Sequence, residues 1–331
     1  MLKVLIWQVL NNTSFKDKAI KILEEQHNGI EIVGEATTEN IAKNDGGSYD
    51  LILVVGGFDA RWKMEEVRKN AHQFNLPEEK LLGDWIVTIP GFTLEKYRQL
   101  QQSRLSIISR GCFGGMISNM LALPFRSPFV DLWLYEKDFN RLLRNPRAYM
   151  EEDLVFKSKT YKKNLGHDVA TYICGNVSLV MDNYKDFDEA VRKWNERKKE
   201  INWDNLLIVN ILEDPELFRE FDAMPYDKKV CFVPFKSELS SAWYIDPNKR
   251  TRESANGTWN IVHHALMDKV FYYDPFDMLL YGKKTPLIET LPKQKEQQPV
   301  KVSAETKNHF YFLSNLNCDT VYDRQDILSH F

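Results

Sequence analysis

Short, almost continuous apolar runs alternate with amphipathic stretches through the first hundred residues. LKVLIWQ (2–8), IEIVGEA (30–36) and YDLILVVGG (49–57) read as strands, the third nearly all apolar and closed by two glycines. Between them, Phe15 to Gln26 carries Ala19, Ile20, Ile22 and Leu23 at helical spacing. A short helix is expected near 38–44. Arg61 to Phe74 reads as a helix that ends before Pro77. Lys80 to Trp85 suggests a short fourth strand, and Thr93 to Gln101 another helix. Alternating strands and helices predict a parallel sheet with helices on its faces. Uninterrupted apolar strands fit a sheet covered on both sides. The fold class expected is α/β, an open parallel-sheet (Rossmann-like) domain over residues 1–102, with strands 2–8, 30–36 and 49–57 as parallel neighbours.

The pattern restarts in a second α/β unit, residues 103–281. Leu105, Ile107 and Ile108 mark a buried strand that stops at Arg110-Gly111-Cys112-Phe113-Gly114-Gly115. A helix follows, with Met116, Met120, Leu121 and Leu123 apolar, ended by Pro124. Helices are expected at 136–150 and 186–200. The latter carries Phe187, Ala190, Val191, Trp194 and Ile201 on one side of a strongly charged run, so it packs one face and solvates the other. Residues 203–211 and 229–235 read as buried strands. Residues 282–331 form a third segment: a polar, Pro/Lys/Gln-rich stretch over 282–305, expected to be poorly packed, then a renewed apolar run at HFYFL (309–313).

A hydrophobic share of 43% makes a packed core possible and excludes wholesale disorder. Lys+Arg of 44 against Asp+Glu of 47 gives a net charge of -3, which argues against a dedicated nucleic-acid binder. Four scattered cysteines with no C-x-x-C pair speak against a structural zinc site and a disulfide framework. MLKVLIWQ reads as a first strand, not a signal peptide. No run of eighteen apolar residues is present, so no membrane span is expected, and the cytoplasm is the simplest location. After the first strand comes Gln8-Val9-Leu10-Asn11-Asn12, without a glycine; the dinucleotide fingerprint is absent and NAD or FAD is not expected, nor any other cofactor or metal. Oligomeric state is not readable from the pattern.

Cys112 is the residue most suited to chemistry. At a strand-to-helix turn, free backbone N–H groups and the helix dipole favour a thiolate. It is either a nucleophile or a half-buried cysteine in a tight turn. Gly114 and Gly115, and Gly56 and Gly57 at the end of the third strand, offer backbone N–H groups to a phosphate, or simply turn the chain. Arg110, Arg126 and Ser127 are candidates for contacts to an anion. His167, followed by Asp168, is a candidate general base, or a solvent-facing loop histidine. Asp204 and Asn205 precede a strong strand and either border a binding cleft or turn the chain. Neighbouring His263 and His264 cannot share a face, which disfavours a two-histidine metal site. The aromatic runs 243–247 and 271–276 line a sugar platform or fill the core.

Five motifs of the second unit belong together. Cys112-Phe113-Gly114-Gly115 is followed by Leu123-Pro124-Phe125-Arg126-Ser127-Pro128, then by Trp194-Asn195-Glu196-Arg197, Ile201-Asn202-Trp203-Asp204-Asn205 and Pro225-Tyr226. In this order, over roughly residues 103–235, they resemble an uncharacterised bacterial family associated with exopolysaccharide and capsule biosynthesis. There is a more distant likeness to papain-like thiol hydrolases, in which a cysteine opens a helix and a histidine comes later. The family pattern often has a His just before a Tyr, ahead of the charged helix; this chain has Asn183-Tyr184, so His167-Asp168 or His263-His264 would have to stand in. The resemblance implies an enzyme of surface-polysaccharide biosynthesis, a transferase or thiol acyl-transferase/hydrolase acting on a sugar-nucleotide or phosphorylated glycan precursor. The alternative is a non-catalytic sugar-nucleotide or polysaccharide-complex binding protein with a structural glycine turn. A buried Cys112 with no histidine nearby would favour the second.

Overall fold

The computed structural model describes residues 1–44, 48–163 and 165–287. The segment 288–331, with most of the expected linker and the run 309–313, lies outside the described residues. Two compact units are present. Among the described residues one is Met1–Arg104 with Ser118–Pro124; the other is Leu105–Ile117 with residues 125–287.

The first unit is a parallel sheet in the order β2-β1-β3-β4. Its strands are β1 (Leu2–Gln8), β2 (Ile30–Thr37), β3 (Leu51–Val55) and β4 (Leu81–Gly83). Strand β1 pairs in parallel with β2 and with β3, as the apolar runs predict. Every residue of β3 is buried, which explains its unbroken Leu-Ile-Leu-Val-Val sequence. The helices are α1 (Lys16–His27), α2 (Met64–Gln73) and α3 (Leu94–Gln102). Thr93 caps α3, its hydroxyl accepting from the Lys96 N–H at 3.1 Å.

The second unit holds two sheets. A parallel one runs in the order β11-β10-β9-β5. Its members are β5 (Ser106–Ser109), β9 (Leu206–Ile211), β10 (Lys229–Val233) and β11 (Ala242–Tyr244). Between β5 and β9 the chain forms an antiparallel sheet of β6 (Val155–Lys162), β7 (His167–Cys174) and β8 (Val177–Met181). The helices are α4 (Phe113–Met120), α5 (Glu136–Leu143), α6 (Pro146–Glu151), α7 (Phe187–Arg197), α8 (Pro215–Asp222), α9 (Thr258–Met267) and α10 (Pro275–Tyr281).

The single helix expected over 136–150 is two, because Pro146 opens α6 and its ring cannot continue α5. One core cluster joins β7, β8 and β9 to α5, α7 and α8, with Phe129 meeting Phe139 and Trp194 edge-on at 6.2 and 5.6 Å. Trp243 of the first aromatic run and Phe276 of the second are fully buried, so those runs serve the core.

Candidate functional site

Ligands of parallel α/β sheets meet the carboxyl ends of the strands. In the second unit that edge begins with the turn Arg110-Gly111-Cys112 between β5 and α4. Gly111 has φ +72°, and a Cβ there would come within 2.1 Å of the Trp259 ring, so only glycine fits. The Gly114 N–H donates to the Ser109 hydroxyl at 2.9 Å, and that hydroxyl donates in turn to the Gly111 carbonyl at 3.2 Å. Gly114 also sits against β5: an added Cβ would lie 2.8 Å from Ser109 Oγ and 3.0 Å from Ile107. The expected phosphate cradle at Gly114 and Gly115 thus lies packed against β5. Gly114's donor is already taken, its small size serves helix-on-strand packing, and Gly115 is buried beside it.

Arg110 is buried and committed as well. Its guanidinium donates to the Ile211 carbonyl, pairs with Glu136 at 3.3 Å, and lies over the rings of Trp133 at 4.9 Å and Trp259 at 5.6 Å. His263 stacks on Trp259 at 5.9 Å. The result is a layered clamp of rings and cation that holds the turn. At the end of β9, Glu213 accepts from the Thr258 N–H at 2.5 Å, a carboxylate at the opening of α9.

Cys112 is half-buried. The amide nitrogen of Asn183 lies 3.7 Å from its Sγ and donates to Asp131 Oδ1 at 3.4 Å. Burial, followed by the charges of Asp131 and Asp182, pushes the thiol up to about 12 against a smaller opposing effect of the Asn183 hydrogen bond. That direction is opposite to the one expected from the helix terminus alone. The helix terminus favours the anion, but desolvation and two carboxylates outweigh it. Among the described residues no histidine hydrogen-bonds to the thiol.

His167 opens β7, and its Nδ1 lies 2.9 Å from the Asp168 carbonyl. It acts electrostatically on Asp182, which also pairs with Lys162 at 3.4 Å. Burial raises the Asp182 carboxyl above its ordinary range, and the Lys162 and His167 charges oppose that rise.

The other expected contacts lie elsewhere. Asp204 and Asn205 precede β9, where the Asn205 carbonyl accepts from Ser106 at the start of β5. They stand at the amino edge of the parallel sheet, whereas Cys112 follows β5 at its carboxyl edge, so they do not join one site. Asn202 Oδ1 accepts from the Asp204 N–H at 3.2 Å, a local turn, and Asn205 accepts from Lys228. Arg126 faces Glu200 at 3.6 Å. Ser127 is buried and accepts from the Phe129 N–H at 3.2 Å.

In the first unit the Gly56-Gly57 turn is likewise filled from within. Asp84, fully buried, accepts from the Gly57 N–H at 3.0 Å and from the Gly56 N–H at 3.4 Å. Gly57 has φ +65°, and a Cβ would press on Asn12 at 2.9 Å. Burial lifts the Asp84 carboxyl to about 6 despite these hydrogen bonds. The N–H groups read as a phosphate cradle hold the protein's own carboxylate.

The residues missed by sequence reading are Asp131, Asp182, Trp133 and Trp259. Asp131 had a signal: it is the one charged residue in Phe129-Val130-Asp131-Leu132-Trp133-Leu134. It has φ +63° and is 1% exposed, so the chain makes a special turn to bury it. Asn183, where the motif resemblance led to the expectation of a histidine, lies beside Cys112. Among the described residues no group of three or more His, Cys, Asp or Glu is arranged to hold a metal ion. No helix among them is long and apolar enough to cross a membrane.

Residues 87–281 match a domain of unknown function, DUF1919. A protein of Haemophilus influenzae, itself described as uncharacterized, is 30% identical over 185 residues, covering 54% of this chain and 84% of that protein.

Proposed function

We propose that this chain, which belongs to the DUF1919 family, is a non-catalytic recognition protein of surface-polysaccharide assembly. The carboxyl edge of its second parallel sheet takes an uncharged, hydroxyl-rich face of a glycan precursor. The polysaccharide setting rests on the motif resemblance. The observation that carries the non-catalytic reading is the surroundings of Cys112: a thiol among Asp131, Asp182 and Asn183, held up to about 12. A nucleophile needs a hydrogen-bonded base or a depressed pKa; the side chain at this thiol is the Asn183 amide, and burial and the two carboxylates raise its pKa.

The same surroundings choose between ligand groups. Asp131, Asp182 and Glu213 make the edge acidic, and its cations Arg110 and Lys162 are engaged by Glu136 and by Asp182. Such an edge repels phosphate and accepts hydroxyl protons. Asp182, partly exposed and paired with Lys162, is the carboxylate we assign to first contact.

Titration calorimetry with neutral oligosaccharides and with the matching sugar phosphates tests this. The expected result is neutral-glycan binding that falls at least tenfold in Asp182→Asn and is retained in Cys112→Ser. A covalent adduct on Cys112 after incubation with a nucleotide sugar or an acyl donor, seen by mass spectrometry, would reinstate the enzyme reading. Glycan binding unmoved by Asp182→Asn would remove the assigned edge.

A further inference from the structure

The amino edge of the same sheet carries a cavity of different character. Helix α6 opens with Pro146, and Arg147 after it is exposed. After α7 the chain passes through a short 3-10 turn, Lys198–Glu200, and reaches Trp203 just before β9. Arg147, Met150, Glu151, Lys198, Lys199 and Trp203 line an open cavity of about 340 Å³. That is at the small end of the roughly 300–1,000 Å³ typical of ligand pockets.

Three cations face one carboxylate there. The Arg147 guanidinium lies 4.6 Å over the Trp203 ring. Lys198 donates to the Glu152 carbonyl at 3.4 Å, and Lys199 is exposed. Among the described residues none of these three forms an ion pair. Their neighbours do: Arg192 and Lys193 on α7 pair with Glu196 and Glu189, and Arg126 with Glu200. Acids are thus at hand on this surface, yet the cavity cations are left without them. Met150, buried, and the Trp203 ring give the cavity an apolar side.

We propose that this cavity binds a small phosphate-bearing molecule. Arg147 offers a fork matched to two phosphate oxygens, held in place by stacking on Trp203. Lys198 and Lys199 add point charges. Met150 and the ring edge of Trp203 take the apolar part of the ligand, and Glu151 turns the anion towards the opposite wall. This site is separate from the acidic carboxyl edge and stands without the glycan reading.

The probes are inorganic pyrophosphate and phenyl phosphate, with phenol as the uncharged control, titrated calorimetrically into the full chain at low and at moderate salt. The expected result is one saturable site for each anion, weakened by salt, and no saturable phenol binding. Arg147→Ala and Lys199→Ala each weaken both anions at least tenfold. Trp203→Ala weakens phenyl phosphate more than pyrophosphate, Glu151→Gln tightens both, and Asp182→Asn changes neither. Arg147, Glu151 and Lys199 are exposed positions, Asp182 and Trp203 partly buried ones, and far-ultraviolet circular dichroism checks each variant. Absence of saturable anion binding at low salt would overturn the proposal. So would binding that survives Arg147→Ala and Lys199→Ala together, since the anion would then sit elsewhere.

Discussion

The two glycine turns at strand ends look alike in sequence and are filled in opposite ways. At the end of β3, Gly56 and Gly57 point two N–H groups at the Asp84 carboxylate. At the end of β5, Gly114 points one N–H at the Ser109 hydroxyl. The first turn encloses a charge with its donors; the second encloses a neutral group and has carboxylates around the neighbouring thiol. A glycine turn at a strand end therefore fixes the direction of donors, and the partner they meet is chosen by residues remote in sequence. Asp84 is 27 residues from Gly57.

Removing the charge at the first turn is the harshest way to break the comparison. Asp84→Ala leaves two buried donors without their acceptor and is expected to cost about 3 kcal/mol in urea unfolding, at roughly 1–3 kcal/mol per orphaned group. A cost near zero would mean that these hydrogen bonds hold nothing in place.

The charge also makes the first turn sensitive to pH. Asp84 rises from an ordinary 3.8 to about 6 on folding, so between those values the folded state holds more proton than the unfolded one. Its contribution to stability therefore falls as pH rises through that window. Measured as wild type minus Asp84→Asn, stability should drop by at most about 3 kcal/mol from pH 4 to pH 6. A difference that is flat or grows with pH contradicts the burial account.

At the second turn the effects are steric and smaller. Gly114→Val drives methyl groups into Ile107 and Ser109 and should cost about 2 kcal/mol. Ser109→Ala, which removes one neutral acceptor, should cost about 1 kcal/mol. If Gly114→Val is neutral to stability, the packing reading of that glycine fails and a ligand-facing role returns.

Much of the fold was legible because most strands of its parallel sheets are buried on both faces, the largely exposed edge strand β2 excepted. Runs such as Leu51–Val55 have one reading. The antiparallel sheet was not legible. Strand β6, Val155–Lys162, is exposed along nearly its whole length, so no burial pattern marks it. The end of the parallel sheet that carries Cys112 was readable from β5 and the glycines. The surroundings of the thiol were not, since Asp131, Asp182 and Asn183 arrive from 19 to 71 residues away. Local signals favoured a thiolate, and long-range burial and charge decided against it. Asp204 and Asn205 show the same limit: a motif gives no sign of which edge of a sheet it will occupy.

The central claim is that Cys112 is a protonated, unactivated thiol. Its rate of iodoacetamide alkylation, followed by mass spectrometry from pH 6 to pH 10 in the folded and the urea-unfolded protein, tests this directly. The folded protein should react at least about a hundredfold more slowly at pH 7.5, with no inflection up to pH 10, because only thiolate reacts and an ordinary cysteine ionises near 8.5. Asn183→His, which puts an imidazole between Cys112 and Asp131, should speed the folded protein. A plateau below pH 8 in the wild type, or alkylation of folded Cys112 as fast as unfolded, would contradict the account and restore Cys112 as a nucleophile.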